Sequence, residues 1–366
     1  MPDIFDLAIC GAGPAGTASA LAAARSGWRV ALIERAPFPR HKVCGDCLNP
    51  GDRPDLESHG TAAALRALNH AELHTVRLVS LKGRALEIPL PAGAERAVTR
   101  ESFDAVMLQA ALAAGVTLCS GAPLTAIQRQ TTGWSLSTAS TSLTAQTLIA
   151  ADGRNSTTGR LLGLVPPARP GHAGRVALQC HAPLSLSYQG TVALELLSHG
   201  YCGIAPVDAT RMNLCLVSDA PKLAATKQEA HRRFQLPADQ LWHSLAPLDR
   251  PDLPPAPLPG CFLAGDAARV VEPFTGEGIY YALRSGQLAA EAAVRHLTGD
   301  PAAASFYRAA HRQLYRHRLW VNRLARLAVT HRSLGNGLLS LGRYFPGLPG
   351  LLTSKIISTG TPRPRP

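Results

Sequence analysis

A glycine-rich turn near the start of the chain constrains the fold more than any other feature. Gly11, Gly13 and Gly16 follow an apolar run at 6–10 and precede a helical pattern at 15–26. This spacing predicts a strand, a tight turn and a helix whose N-terminal N–H groups and dipole can receive a pyrophosphate. The sequence therefore predicts an α/β fold that begins with a dinucleotide-binding Rossmann unit.

The second strand of this unit ends in an acidic residue. The apolar run at 30–34 would complete a βαβ unit, and its last residue, Glu34, lies 23 residues after Gly11. An acidic residue at about 20 residues from the turn reaches the ribose of the bound nucleotide. The turn and the acid together predict a dinucleotide site.

A second glycine-containing run narrows the choice of ligand. Gly265 and Asp266 come directly after an apolar run, and the loop at 273–278 opens onto a helical pattern at 279–297. The carboxylate of Asp266 can accept hydrogen bonds from a polyol chain. FAD is a ligand that needs both a pyrophosphate site and a polyol site, and no residue is marked for a covalent flavin linkage. The two runs together predict a non-covalent FAD site.

The rest of the pattern predicts a second domain inserted into the first. Strand-like runs at 176–180, 191–197 and 212–217 predict an antiparallel sheet that would bind substrate. A proline-rich connector then returns the chain to the Asp266 strand. The predicted parts are an FAD-binding domain of residues 1–75, 97–165 and 255–300, a substrate domain of residues 76–96 and 166–254, and a basic helical C-terminal segment of residues 301–366.

The order of the motifs resembles a known superfamily. The glycine turn with Glu34, then Asp152-Gly153, then Gly265-Asp266 is similar to the para-hydroxybenzoate hydroxylase-like superfamily of FAD-dependent oxidoreductases. Within it, Lys42-Val-Cys-Gly45 and the loop before residue 279 look most like the geranylgeranyl reductase branch, although that branch usually has Tyr-x-Trp-x-Phe-Pro where this chain has Tyr-Cys-Gly-Ile-Ala-Pro. The resemblance implies a glutathione-reductase-type FAD domain, an inserted antiparallel substrate sheet and a helical tail.

The resemblance also implies roles for individual residues. It places the glycine turn against the pyrophosphate, Glu34 with Arg35 on the adenosine ribose, and Arg100 toward the phosphates or ribityl chain. The backbone at 275–279 would approach the flavin ring. Asp152 is equally consistent with a capped turn after a buried strand. The predicted cofactor-binding residues are Gly11, Gly13, Pro14, Ala15, Gly16, Glu34, Arg35, Arg100, Asp152, Gly265, Asp266, Pro273, Gly276, Glu277, Gly278 and Ile279.

Two closely spaced cysteines, Cys44 and Cys47, are the candidate catalytic residues. They could line a substrate pocket beside the flavin, act as a redox pair as in flavin disulfide reductases, or with His41 form half of a zinc site. No second glycine fingerprint follows Gly16, and no fourth zinc ligand is visible, so the pattern favours pocket lining and predicts no metal site. Four further histidines have no partners at an informative spacing, which favours solvated or structural roles for them: His172, His181, His199 and His243.

The net charge of +12 is concentrated at the C-terminal end. Eleven of the 37 lysines and arginines lie after residue 301, where no Asp or Glu occurs, so 26 basic residues face 25 acidic ones in the preceding part. A basic amphipathic segment at 302–366 predicts either contact with an anionic membrane or a packed helical cap. No nucleic-acid module accompanies the charge. Without an apolar span or a signal peptide, the sequence predicts a cytoplasmic protein that can be peripheral on the inner membrane surface.

These observations predict an FAD-dependent oxidoreductase. The expected reaction is reduction of a C=C bond of a hydrophobic substrate by hydride from reduced flavin, with NAD(P)H or a reduced carrier as the electron donor. The resemblance leaves open an aromatic monooxygenase, in which the reduced flavin captures oxygen as a hydroperoxide. A membrane-associated electron relay or a flavin dithiol reductase is a further alternative.

Overall fold

Two large sheets make up the structure, a computed structural model that describes residues 3–91, 95–121, 123–166, 174–273, 276–316 and 326–327. Its strands are β1 Asp3–Cys10, β2 Val30–Glu34, β3 Cys47–Leu48, β4 Ala71–Leu73, β5 Thr75–Val79, β6 Ala85–Pro89, β7 Glu95–Ala97, β8 Thr117–Ser120, β9 Leu124–Gln130, β10 Gly133–Thr138, β11 Ser142–Ala150, β12 Arg175–Pro183, β13 Thr191–Leu197, β14 Gly200–Pro206, β15 Arg211–Asp219, β16 His243–Leu245 and β17 Cys261–Leu263. Its α-helices are α1 Pro14–Arg25, α2 Arg53–Ser58, α3 Ala62–Ala67, α4 Arg100–Ala113, α5 Thr157–Leu161, α6 Leu223–Arg233, α7 Gly278–Leu297 and α8 Ala303–Arg316.

The first sheet is the predicted α/β unit. Strands β8, β2, β1 and β11 lie side by side and parallel, and β17 pairs in parallel with the end of β11. Every residue of β2 is buried, as expected for a parallel sheet covered on both faces. The carboxyl ends of these strands meet at one edge, which brings together Gly11, Glu34, Asp152 and Asp266. The predicted α/β fold is therefore confirmed.

Helices α1 and α7 pack closely on this sheet. A Cβ added at Gly286 would lie 2.4 Å from the carbonyl oxygen of Ala15, so only glycine allows the helices to approach this far. The hydroxyl of Ser19 donates to the carbonyl of Gly286 at 2.8 Å. This contact fixes the start of α7 relative to the glycine turn.

The second sheet has the order β16-β12-β15-β14-β13-β5-β6. All neighbours are antiparallel except β13 and β5, which run parallel from Thr191↔Thr75 to Glu195↔Val79. The predicted antiparallel sheet is confirmed, with this one parallel pair as the exception. Two hairpin systems, β5–β6 and β13–β15, meet edge to edge there, so no hairpin turn determines their relative direction. Helix α6 covers the outer face of this sheet, and a small sheet of order β3-β7-β4 packs against its strands β5, β13 and β14.

The described part of the C-terminal segment packs against the helices and strands that precede it. Helix α8 lies against α7 and buries the side chains of Tyr307, His311 and Tyr315. The hydroxyl of Tyr307 donates to the carbonyl of Leu263 at 2.7 Å. Residues 303–316 thus form a helical cap, whereas 317–325 and 328–366, which carry most of the predicted membrane segment, lie outside the described residues. No helix within the described ranges is long and apolar enough to cross a membrane.

Candidate active site

The glycine turn after β1 leaves the start of α1 open. Gly11 has a φ of +100°, and a Cβ there would lie 2.5 Å from the carbonyl oxygen of Ala151. A Cβ at Gly16 would lie 1.7 Å from the carbonyl oxygen of Gly11. Gly13 differs, because a Cβ there would meet only Arg40, at 3.8 Å. The first and third glycines are needed for packing, and the second keeps space in front of a helix that has Pro14 at its first position and no side-chain cap.

Glu34, at the end of β2, braces this turn. Its carboxylate accepts the N–H of Ala12 at 2.9 Å and the N–H of Ala36 at 3.2 Å. It also pairs with Arg40 at 3.5 Å, while Arg35 is exposed. The Glu34 carboxylate therefore lies next to the glycine turn, as the sequence predicts. It holds the turn in position by its hydrogen bond to the backbone N–H of Ala12.

Arginines connect the turn to the cysteine loop. Arg40 pairs with Glu34 and, at 3.1 Å, with Asp104. Arg100 donates two hydrogen bonds to the same Asp104 carboxylate, each at 3.0 Å. The Arg100 side chain also lies near the Cys44 thiol, and its charge partly opposes the rise of the thiol's pKa. Arg100 thus lies between the glycine turn and Cys44.

Lys42 adds a largely buried cation at the same place. Its ammonium group would lie 3.9 Å from a Cβ at Gly153. Burial lowers its pKa, Arg100 lowers it further, and Asp266 opposes the shift. A group of cations that repel one another favours a bound anion such as a pyrophosphate. Lys42 and Arg40 were missing from the predicted binding residues, although the basic run that follows β2 could have indicated them.

Asp266 and the start of α7 form the side of the candidate site opposite the glycine turn. Asp266 follows β17, lies 3.4 Å from Arg154, and has 33% of its side chain exposed. The N–H of Gly265, at φ +58°, donates to the hydroxyl of Ser285 at 2.8 Å. This bond ties the turn to α7.

The loop before α7 is only partly described. Phe274 and Thr275 lie outside the described residues. Of the backbone predicted to approach the flavin ring, residues 275–279, the structure therefore describes residues 276–279. Gly278 begins α7, and a Cβ at Gly276 or Gly278 would meet nothing within 4 Å. Of the other predicted cofactor-binding residues in this loop and at the start of α7, Pro273 is exposed, whereas Glu277 and Ile279 are buried. Ala15, at the start of α1, is also buried.

Asp152 has a structural role in addition to the predicted one. Its carboxylate accepts the N–H of Thr158 in α5 at 2.6 Å. Burial raises the pKa of this carboxyl group, and the Thr158 bonds oppose that shift. The structure therefore shows the capped turn, and contact of Asp152 with a cofactor stays a prediction.

The two cysteines occupy different environments, and neither is in a disulfide. Cys47 lies in β3, where its thiol donates to the carbonyl of Gly45 at 3.4 Å and its side chain packs near Leu73 and Ala97. Cys44 lies against Arg100, and burial raises the pKa of its thiol while Arg100 partly opposes the rise. Cys44 faces the junction of the two sheets, whereas Cys47 packs within the small sheet.

Histidines from three elements meet beside this loop. The ring of His41 stacks on His243 at 3.7 Å and meets the edge of His181 at 6.3 Å. The Nε2 atom of His181 lies 2.8 Å from the Oδ2 atom of Asp46. Strand pairing brings His181 and His243 to one place, a proximity that their spacing in the sequence does not indicate. His172 lies outside the described residues, and His199 lies at the β13–β14 turn. Among the described residues, no group of three or more His, Cys, Asp or Glu side chains has an arrangement that could hold a metal ion.

Comparison with known proteins gives consistent matches. Residues 5–305 match the family described as FAD binding domain. The chain is 31% identical over 321 residues to a menaquinone reductase of Mycolicibacterium smegmatis, covering 78% of this chain and 75% of that protein. It is 29% identical to a geranylgeranyl diphosphate reductase of Rhodobacter capsulatus, covering 83% and 79%.

Solved structures share the fold. A geranylgeranyl bacteriochlorophyll reductase-like protein of Thermoplasma acidophilum superimposes with a TM-score of 0.78 at 21% identity, covering 90% of this chain and 89% of that one. PqsL, a probable FAD-dependent monooxygenase of Pseudomonas aeruginosa, gives 0.76 at 18% identity, covering 92% and 100%. At these identities the likeness concerns the fold alone.

Proposed function

The chain belongs to the FAD binding domain family of FAD-dependent oxidoreductases, and on that basis we propose that it reduces a C=C bond of a hydrophobic substrate. Geranylgeranyl groups contain such bonds, and the named reductases at 31% and 29% identity support this class. We propose NAD(P)H or a reduced carrier as the electron donor.

The described residues fit FAD. Among the described residues, no side chain caps the starts of α1 and α7; a Cβ at Gly13 would meet only Arg40, at 3.8 Å, and a Cβ at Gly278 would meet nothing within 4 Å. Arg40 and Lys42 add positive charge near the first, and Asp266 offers a carboxylate to hydroxyl groups. We propose that the turn with Arg40 and Lys42 holds the pyrophosphate and that Asp266 holds the ribityl chain. Bound FAD, once reduced, would supply the hydride.

Cys44 carries the assignment of the reacting site. The second sheet binds its main chain through Gln179 and Asn213, Arg100 lies near its thiol, and the raised pKa of the thiol keeps it protonated at neutral pH. A protonated thiol suits a group that lines a pocket or holds a proton near a substrate carbon. It does not suit a redox pair, which needs a thiolate.

The fold of PqsL favours one second candidate, an aromatic monooxygenase. The two functions differ in their need for oxygen. The test is to reduce the holoenzyme anaerobically and follow re-oxidation of the flavin with menaquinone, geranylgeranyl diphosphate or 4-hydroxybenzoate. Re-oxidation without oxygen supports the reductase if geranylgeranyl diphosphate brings it about, or if menaquinone does so with hydrogenation of its side chain, because a quinone ring alone can oxidise the flavin. Re-oxidation that needs oxygen and is accelerated by the aromatic acid supports the monooxygenase.

A further inference from the structure

Polar side chains lie buried on the inner face of the second sheet. Gln179 in β12 is fully buried, and Asn213 in β15 is 1% exposed, although the residues around them in sequence are apolar. His181 lies two residues after Gln179 on the same face. Burying an amide without partners costs about 1–3 kcal/mol, so the partners of these groups identify what they do.

Both amides bind the main chain of Cys44. The Gln179 side-chain oxygen accepts the N–H of Cys44 at 2.9 Å. The Asn213 side-chain NH₂ donates to the carbonyl of Cys44 at 2.8 Å. One residue of the loop that follows β2 is therefore held on both its backbone groups by strands of the other sheet.

Asp46 completes this attachment. It is 1% exposed and has a φ of 58°, a conformation that costs a non-glycine residue energy and persists where surroundings impose it. Its Oδ2 atom accepts from Gln179 at 3.2 Å and lies 2.8 Å from His181 Nε2. Its Oδ1 atom accepts the N–H of Arg100 at 3.0 Å. The second sheet and helix α4 together impose the conformation of the loop.

We propose that Gln179, Asn213 and His181 are positioning residues for Cys44. Through these residues the second sheet, and not the first sheet alone, determines where the Cys44 thiol lies and how deeply it is buried. The inference rests on the proposed role of Cys44 in the reacting site. It makes any shift of the second sheet a shift of the thiol.

The reactivity of the Cys44 thiol tests this proposal without a substrate. Holoenzyme is treated with iodoacetamide at a series of pH values, and alkylation of each cysteine is measured by peptide mass spectrometry. Gln179→Met removes both hydrogen bonds of the Gln179 side-chain amide at nearly constant side-chain volume. Asn213→Ser replaces the Asn213 amide, which binds the Cys44 carbonyl, with a shorter hydroxyl side chain. Gln128→Met is the matched control, because Gln128 is exposed on β9. Cys119 serves as the internal reference for global unfolding.

In the wild type, Cys44 should react slowly, with a midpoint above the usual thiol pKa of about 8.5. Gln179→Met and Asn213→Ser should lower this midpoint, and a fall of one unit raises the rate about tenfold below both pKa values. Gln128→Met and the Cys119 rates should not change. If Cys119 also accelerates in Gln179→Met, the milder Asn213→Ser decides.

The proposal is overturned if Cys44 in folded Asn213→Ser reacts with the wild-type rate and midpoint. Parallel anaerobic re-oxidation with geranylgeranyl diphosphate separates this failure from failure of the proposed function. If Cys44 is alkylated faster in the variants but the wild type shows no turnover, the positioning role is supported and the reductase is rejected. Wild-type turnover with unchanged alkylation supports the reductase and rejects the positioning.

Discussion

At the scale of single residues, Asp266 offers the sharpest test of cofactor binding. Its carboxylate is partly exposed beside Arg154, at the edge where the parallel strands end. A charge-assisted hydrogen bond contributes about 1.5–3 kcal/mol, so Asp266→Ala should weaken FAD binding about tenfold or more. Reconstitution of the apoprotein, followed by flavin fluorescence, measures this. Asp252→Ala, which removes a half-exposed carboxylate paired with Arg269, is the control. Equal affinity of Asp266→Ala and wild type would contradict the assignment.

The cysteines give a second residue-scale prediction. Because Cys44 is a half-buried thiol with a raised pKa and Cys47 packs in the small sheet, anaerobic titration should consume two electrons per FAD. Cys44→Ser should lower turnover, whereas Cys47→Ser should affect it much less. A dithiol reductase would instead take up four electrons, and either serine would abolish the additional two.

At the scale of secondary-structure elements, a buried ion network joins the second sheet to the loop before α7. Arg175 of β12 bonds Glu272 at 2.9 Å and Asp249 at 3.0 Å. The hydroxyl of Tyr201 in β14 donates to Glu272 at 2.9 Å. Glu272 directly precedes the loop that leads to the open start of α7. The network therefore positions that loop.

Neutralising Glu272 should destabilise the fold. Removing one partner of a buried ion pair costs about 3–5 kcal/mol, and Glu272→Gln should lie near the lower end because Arg175 keeps Asp249. Glu87→Gln, in an exposed pair with Arg77, should cost less than about 1 kcal/mol. Urea unfolding at matched FAD saturation measures both. Equal losses in the two variants would show that the buried network contributes no more than a surface pair.

The elements differ in how far the sequence predicted them. Strand β2 and helix α7 lie within one residue of the prediction, because glycines and apolar periodicity define them locally. The meeting of His41 with His181 and His243 could not be predicted, since it depends on the pairing of β16 with β12 and on the loop that faces them. The attachment of Cys44 by Gln179 and Asn213 is equally non-local. Pairing between distant strands leaves no periodic signal in one sequence.

At the scale of the whole molecule, buried histidines set the response to acid. Burial, with Arg25 and Arg284 nearby, lowers the pKa of His59 to about 4; burial with Arg269 nearby lowers that of His311 to about 4. Both stay neutral in the folded protein, whereas the unfolded chain takes up protons near pH 6.5. Stability should therefore fall as pH drops from about 6.5 to about 4, by up to about 3 kcal/mol for each histidine.

Urea unfolding across this pH range checks the prediction. His59→Gln and His311→Gln should each flatten the fall relative to the wild type. His199→Gln is the control, because His199 is exposed at the β13–β14 turn. An unchanged slope in both test variants would assign the acid response to other groups.

The mass of the product tests the proposed reaction most directly. Reduced holoenzyme is mixed with geranylgeranyl diphosphate, which has no quinone ring to accept the electrons, in a single anaerobic turnover, and the extracted product is analysed by mass spectrometry. The account predicts a product heavier than the substrate by two hydrogens, formed in proportion to the oxidised flavin, with less of it from Cys44→Ser. A product that gains one oxygen atom, and forms only when oxygen is admitted, would contradict the account.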